Sequence, residues 1–272
     1  MTKITKFGIV VSKQDLAGMN IASCLDEVGF IRDEDYFLIE QDSINFEQSV
    51  LERDGRLDNF DFIIFATKHK SEKGTSSLTC HAPGNWSKAE FGGVEGKVCK
   101  TSGVFLKLIF NILKHEAEKV KFGGEVTLEC THHGPLIEKL CIFIEIGSSE
   151  EEWENKKYGK IIANTIKRGV NSVLKENYEA VIGIGGPHYC PNFTKLQLNS
   201  EYAVSHIIPQ YVFPLTKEMI LEGVSKTVEP VKKAIVDWKG CGKSGDRDCV
   251  VGLLKECGLE VLRSDGLKNK HT

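Results

Sequence analysis

The chain has 272 residues (30.3 kDa), of which 41% are hydrophobic and 27% charged, and its formal net charge is -3. This composition argues against a disordered or fibrous chain, and its slight acidity against a uniformly basic nucleic-acid binder, although a local basic patch is compatible with it. No run reaches the roughly 18 apolar residues that cross a bilayer.

Nine cysteines form no CxxC pair, and a chain this long builds its core without staples. Reduced thiols are expected, not a disulfide framework or a four-cysteine zinc cluster. The first residues reach Ser12, Lys13, Gln14 and Asp15 before any signal-peptide core is complete, which points to a cytosolic protein.

Lys6 to Val11 predicts a first strand, Asp15 to Val28 a helix stopped by Gly29, and Tyr36 to Glu40 a short strand. Asp61 to Ala66 is apolar on both faces, as in a strand covered on each side. Thr67 to Gly96 shows no comparable periodicity, so 67–96 is expected to be a long functional loop that binds substrate or covers a site. Thr101 or Ser102 caps a helix ending near Phe122, and alternating strands follow at Glu125 to Cys130 and Leu140 to Ile146.

Ser148 to Trp153 reads as a capped, acidic helix start, continuing through Tyr158 and Ile166 towards Val173 and Leu174. Further strands are expected at Ala180 to Ile184, Tyr202 to Ile208 and Lys233 to Asp237, with helices from Thr194, Thr216 and Asp246. The order predicts an α/β fold, with a mixed or mostly parallel sheet and helices on both faces. One compact unit, 1–272, is expected; a division into two lobes would fall near 120–148, where no flexible linker marks it.

Chemistry concentrates at strand ends. Gly183, Gly185 and Gly186 lead a buried run into Pro187 and His188, which permits close approach to a ligand but matches neither a Rossmann fingerprint nor a P-loop. His132 and His133 follow a strand and precede Gly134-Pro135. Consecutive side chains on a strand point oppositely, so one ligand and one outer partner is the economical reading of that pair. Glu145 sits among apolar residues and needs a cation, hydrogen bonds or a strand-end position.

His81 and His206 could join His132 or His133 and His188 around zinc, because neutral imidazoles suit that ion and a hydrolytic zinc activates water. A metal-free hydrolase using His188 as base is the other reading. Basic residues gather at Lys68, Lys70, Lys73 and Lys88, and again at Lys232, Lys233, Lys239, Lys243 and Arg247. These suit phosphates, and Trp86 or Trp238 could stack on an adenosine.

Several passages together resemble the D-aminoacyl-tRNA deacylases of the archaeal and plant type. They are Ile64 to His69, Leu78 to Trp86, Glu129 to Pro135, Phe143 to Trp153, Gly183 to Tyr189, Ser205 to Ile207 and Val236 to Gly240. They recur in family order over most of the chain; Pro187 departs from the pattern, where another glycine is more usual.

The resemblance implies hydrolysis of the ester between a D-amino acid and the terminal adenosine of tRNA, a zinc requirement, a monomer, and a fold like the phosphorylase and peptidyl-tRNA hydrolase group. Taken with the residues, it puts the metal shell among His81, His132, His188 and His206. It gives His133, Glu145 and His188 to catalysis, and Lys68, His69, Lys70, Asn85, Trp86, Asp237, Trp238 and Lys239 to the substrate. The alternatives are a peptidyl-tRNA or small-amide hydrolase and a non-catalytic tRNA-binding protein.

Overall fold

The computed structural model describes residues 4, 6–42, 55–71, 74–172 and 178–267. Its framework is two sheets. Strands β1 (Phe7–Ser12), β2 (Tyr36–Ile39), β3 (Phe62–Lys70), β4 (Ser77–His81), β5 (Glu125–Leu128) and β6 (Leu140–Ser148) form one, in the order β2-β1-β3-β6-β4-β5. Only the β4–β6 pairing is antiparallel in that sheet. Strands β7 (Glu179–Ile184), β8 (Tyr202–Ile208), β9 (Lys233–Val236) and β10 (Glu260–Arg263) make a parallel second sheet in the order β10-β9-β7-β8. The fold is therefore the expected α/β type with a mixed, mostly parallel sheet.

Helices form where caps and apolar stripes predict them. Asp15 accepts from the Gly18 N–H to cap α1 (Leu16–Glu27), and Ser102 accepts from the Phe105 N–H to cap α2 (Gly103–Lys119). The expected single helix after Ser148 is two. Helix α3 (Glu150–Trp153) ends, and Asn155 caps a new start for α4 (Lys156–Val170) by accepting from the Lys157 N–H. Asn20 donates to the Trp153 and Asn155 carbonyls, so the break leaves those acceptors satisfied. The expected continuation to Val173 and Leu174 lies outside the described residues.

Helices α5 (Pro191–Asn199), α6 (Lys217–Ser225) and α7 (Ser244–Glu256) complete the layers. One buried cluster joins Ile9, Phe62, Phe105 and Ile162 to Val181, Val204 and Ile235, so the two sheets share apolar contacts across α2 and α4. All nine cysteines are free thiols, and among the described residues no helix is long and apolar enough to cross a membrane.

The 67–96 segment is not one loop. Strand β3 runs on to Lys70, and β4 occupies Ser77–His81 in antiparallel register with β6. Its five residues are too few for period-2 alternation to stand out, and the partner that stabilises it lies far along the chain.

Lys107 interrupts the buried face of α2. Its ammonium donates to the Gln197 carbonyl and lies 4.9 Å from the Tyr178 ring, and burial pushes its pKa down to about 8. Unfolded lysine titrates near 10.4, so between about pH 8 and 10 the unfolded chain binds more protons and stability rises with pH. The cost is fully present below that window. Lys107→Met is expected to remove this slope and raise the unfolding free energy at pH 7 by about 1–3 kcal/mol, read by urea denaturation at pH 7 and 10.

Candidate active site

Residues 129–131 cross from one sheet to the other, and the site is built on that crossing. The Glu129 N–H still donates to the Cys80 carbonyl of β4, but the next two N–H groups donate to the carbonyls of His188, in the turn that follows β7, and Ile207, in β8. His132 and His133 are thereby delivered into the space between the sheets, facing the ends of β3, β4 and β6. The expectation that only one could turn inward fails for a local reason. His133 takes a left-handed backbone (φ 45°), which breaks strand alternation and brings the two rings to 4.3 Å between centroids.

Three imidazoles share one tautomeric arrangement. The Nδ1 atoms of His81, His132 and His133 lie 3.2, 2.8 and 2.6 Å from the Ala82, Cys130 and Gly134 carbonyl oxygens. A carbonyl only accepts, so each Nδ1 carries the hydrogen and Nε2 is left as the lone-pair donor. One ligand atom from each of the three lies within 4.8 Å of the others. Overlapping sets of the same tightness are Cys130, His132 and His188; His69, Glu129 and His188; and His81, Glu129 and Glu145.

Two buried carboxylates supply the negative charge. Glu145 on β6 stands between Thr67 on β3 and Thr79 on β4, its cross-strand neighbours, and accepts from their hydroxyls at 2.7 and 3.4 Å. Its Oε2 is 3.5 Å from His81 Nε2, which has no well-formed hydrogen bond of its own. Glu129 holds His69 Nδ1 at 3.1 Å and His188 Nε2 at 2.8 Å, with His132 Nε2 at 3.4 Å. The other side of His69 meets the Tyr189 hydroxyl at 2.9 Å.

The titration pattern follows this geometry. Burial opposes charge on Glu129, yet His188 and His69 hold it well below the carboxylate range; Glu145 is lowered in the same way by His81. Burial also opposes charge on His188 and His69, but Cys130 and Glu129 raise the first to about 11, and Glu129 and Glu145 raise the second to about 9. Burial and the neighbouring histidines push His132 well down and His133 to about 4, keeping both neutral, the form that binds metal. Burial lowers His81 too, but Glu145 outweighs it and the net shift is upward.

A family model described as D-aminoacyl-tRNA deacylase matches residues 57–262. The chain belongs to that family. Relatives named D-aminoacyl-tRNA deacylase include one from Thermococcus kodakarensis, 36% identical over 94% of this chain and 98% of its own length. Another, from Methanocaldococcus jannaschii, is 34% identical over 95% and 99% respectively. A solved crystal structure of a conserved protein of unknown function is 27% identical, with a TM-score of 0.85 over 97% of this chain and 96% of that one. Membership makes the chain a hydrolytic enzyme.

Within this deacylase fold, His81, His132, His133, His188 and Glu145 converge as the sequence suggests. His206 does not. It lies buried on β8 with Nδ1 3.1 Å from Thr131 Oγ1, its pKa pushed down to about 3 by burial, and it joins no ligand cluster among the described residues. Strand β8 places it beside the 129–131 crossing, which it braces through Thr131.

Lys68, Lys70, Asn85 and Trp86 do line the cavity. Asp237, Trp238 and Lys239 do not: Asp237 accepts from the Gly240 N–H to shape the turn against Gly186, and Trp238 lies between Arg247 and Arg263 at 5.4 and 4.3 Å. Strand β9 carries them to a turn behind the Gly185-Gly186 loop, away from the cavity wall. Lys73 falls outside the described residues.

His69, expected among substrate-binding residues, is part of the ionised cluster. Glu129 is absent from the sequence-derived site altogether. One signal was available for each: Thr67 and His69 alternate with Lys68 and Lys70, and Glu129 opens the passage that ends in His132 and His133.

Proposed function

We propose that the chain hydrolyses the ester joining a D-amino acid to the terminal adenosine of tRNA, with a zinc ion held by His81, His132 and His133. The carrying observation is that these three imidazoles, His81 and His133 buried and His132 half-buried, all present Nε2, with Nδ1 spent on a backbone carbonyl, beside two buried carboxylates. Neutral nitrogen donors of this kind suit zinc better than the hard cations magnesium and calcium. When bound, the ion supplies Lewis-acid polarisation of the ester carbonyl and lowers the pKa of a water.

The chain's own groups do the rest. Glu145, fixed by Thr67 and Thr79, keeps negative charge beside His81 and so favours a cation there. Glu129 offsets the charge of His188, whose side chain is about a third exposed on the cavity wall and can give a proton to the departing ribose oxygen. Glu129 and the Tyr189 hydroxyl together lock the His69 ring. Lys68, Lys70 and Lys88 border the cavity and meet acceptor-end phosphates. The same reading makes the protein a cytosolic monomer, which sedimentation and cell fractionation check.

The test is deacylation of matched D- and L-aminoacyl-tRNAs by metal-replete and chelated protein. D-selective turnover is expected to fall on the order of 10³-fold on chelation and to return with zinc. Turnover indifferent to complete metal removal overturns the metal role, and preferential cleavage of peptidyl-tRNA overturns the substrate assignment.

A further inference from the structure

The cavity has a volume of about 770 Å³ and reaches well beyond the histidines and carboxylates. Three large aromatic residues line it besides histidine: Trp86, Phe91 and Tyr211. Trp86, the residue the sequence offers for stacking, is not available. It is 4% exposed and its Nε1–H donates to the Ile207 carbonyl at 3.0 Å. Phe91 and Tyr211 are 64% and 60% exposed, among the most open large apolar side chains of the described residues.

Both are anchored to the reacting centre from different sides. The Phe91 carbonyl accepts from the Gly134 N–H at 2.8 Å, beside His133, and Asn85 Nδ2 donates to the next carbonyl, Gly92, at 2.8 Å. The Tyr211 hydroxyl lies 3.1 Å from Cys130 Sγ, and the Cys130 carbonyl receives the Nδ1–H of His132. Tyr211 belongs to the short 3-10 turn after β8, Phe91 to the segment after β4, so each sheet contributes one wall. An ester placed at the histidines has its nucleobase one ribose away, and a base removed from its stack needs an aromatic or apolar face.

We propose that Phe91 and Tyr211 form the aromatic walls that receive the terminal adenine, setting affinity for the nucleoside end of the substrate; this rests on the deacylase reading of the cavity. Both line the cavity and are largely exposed, which leaves aromatic surface for a base to cover. Their role is binding and not chemistry, so their effects belong in KM.

Calorimetric titration of the zinc-loaded protein with adenosine 5′-monophosphate and with ribose 5-phosphate tests the site without turnover. The nucleotide is expected to bind at least ~10-fold more tightly than the sugar phosphate, and Phe91→Leu and Tyr211→Leu are each expected to erase roughly that advantage. Tyr211→Phe, which keeps the ring and loses the hydroxyl, should retain nucleotide binding within about twofold of the parent. On a D-aminoacyl-adenosine, the leucine variants should raise KM by ~10-fold with kcat within about threefold.

Equal binding of the two ligands by the parent protein, or unchanged nucleotide binding in both leucine variants, overturns the assignment. A kcat loss without a KM change does so too, since that is the signature of a structural role. Failure of the deacylase reading looks different: no D-ester cleavage while the nucleotide preference and its loss in the variants persist, a result that supports the base site on its own.

Discussion

Glu129→Gln is expected to lower kcat for D-aminoacyl-tRNA hydrolysis by about 10²–10⁴-fold, the range over which a positioned proton-transfer group acts. Glutamine keeps the volume and one acceptor oxygen but removes the charge that Glu129 presents to His69 at 3.1 Å and to His188 at 2.8 Å. Both imidazoles owe their raised pKa partly to that carboxylate, against the opposing effect of burial. Without it they lose a counter-charge and a fixed orientation together.

Saturating zinc separates this from a loss of metal. A carboxylate that merely supports a ligand weakens affinity by about 10–100-fold when removed, a deficit that excess metal restores. The Glu129→Gln defect should persist in single-turnover deacylation at saturating zinc. A rate within about threefold of the parent under those conditions would remove Glu129 from the mechanism.

His81→Ala is expected to have two separable effects. Bound zinc should fall from about one per chain to a small fraction, and turnover on the order of 10³-fold with it. Stability should also fall, by about 3 kcal/mol at pH 7, because Glu145 loses the partner that holds its pKa down while remaining buried.

The sign of the pH response follows. With His81 gone, burial drives the Glu145 carboxyl upward, so the folded variant binds more protons than the unfolded chain across the mildly acidic range. Its stability deficit should therefore shrink as pH falls from 7 to 5. The double variant His81→Ala/Glu145→Gln should recover most of the stability at pH 7 and none of the activity. Chemical denaturation at the two pH values, with metal analysis of the same samples, reads both effects. An unchanged zinc content in His81→Ala would remove this residue from the ligand set.

How much of this was legible in the chain depended on the distance over which each feature is specified. Glu145 stood out because a carboxylate among Ile144, Ile146 and Phe143 breaks an apolar pattern within a few residues. Thr67 and Thr79, which satisfy it, were not legible as its partners, since they meet it only through β6 lying between β3 and β4. The apolar run alone ends β3 at Ala66 and so groups His69 with its lysine neighbours; the four further residues of strand put Thr67 and His69 inward and Lys70 outward. Trp86 looked like a stacking platform as an aromatic after a turn, and packing against His206 with its N–H on Ile207 took that role away.

The sequence alone determined the caps, most strand and helix cores, the α/β class and the histidines from which a site could be drawn, because hydrophobic period and cap chemistry act within a turn or two of chain. Tertiary structure alone decided that Glu129 is the centre of the charge network, that His133 joins His132 instead of opposing it, and that His206 and the 237–239 turn stay apart. Those outcomes depend on one crossing between two sheets and one left-handed residue, and no local periodicity encodes which distant strands become neighbours.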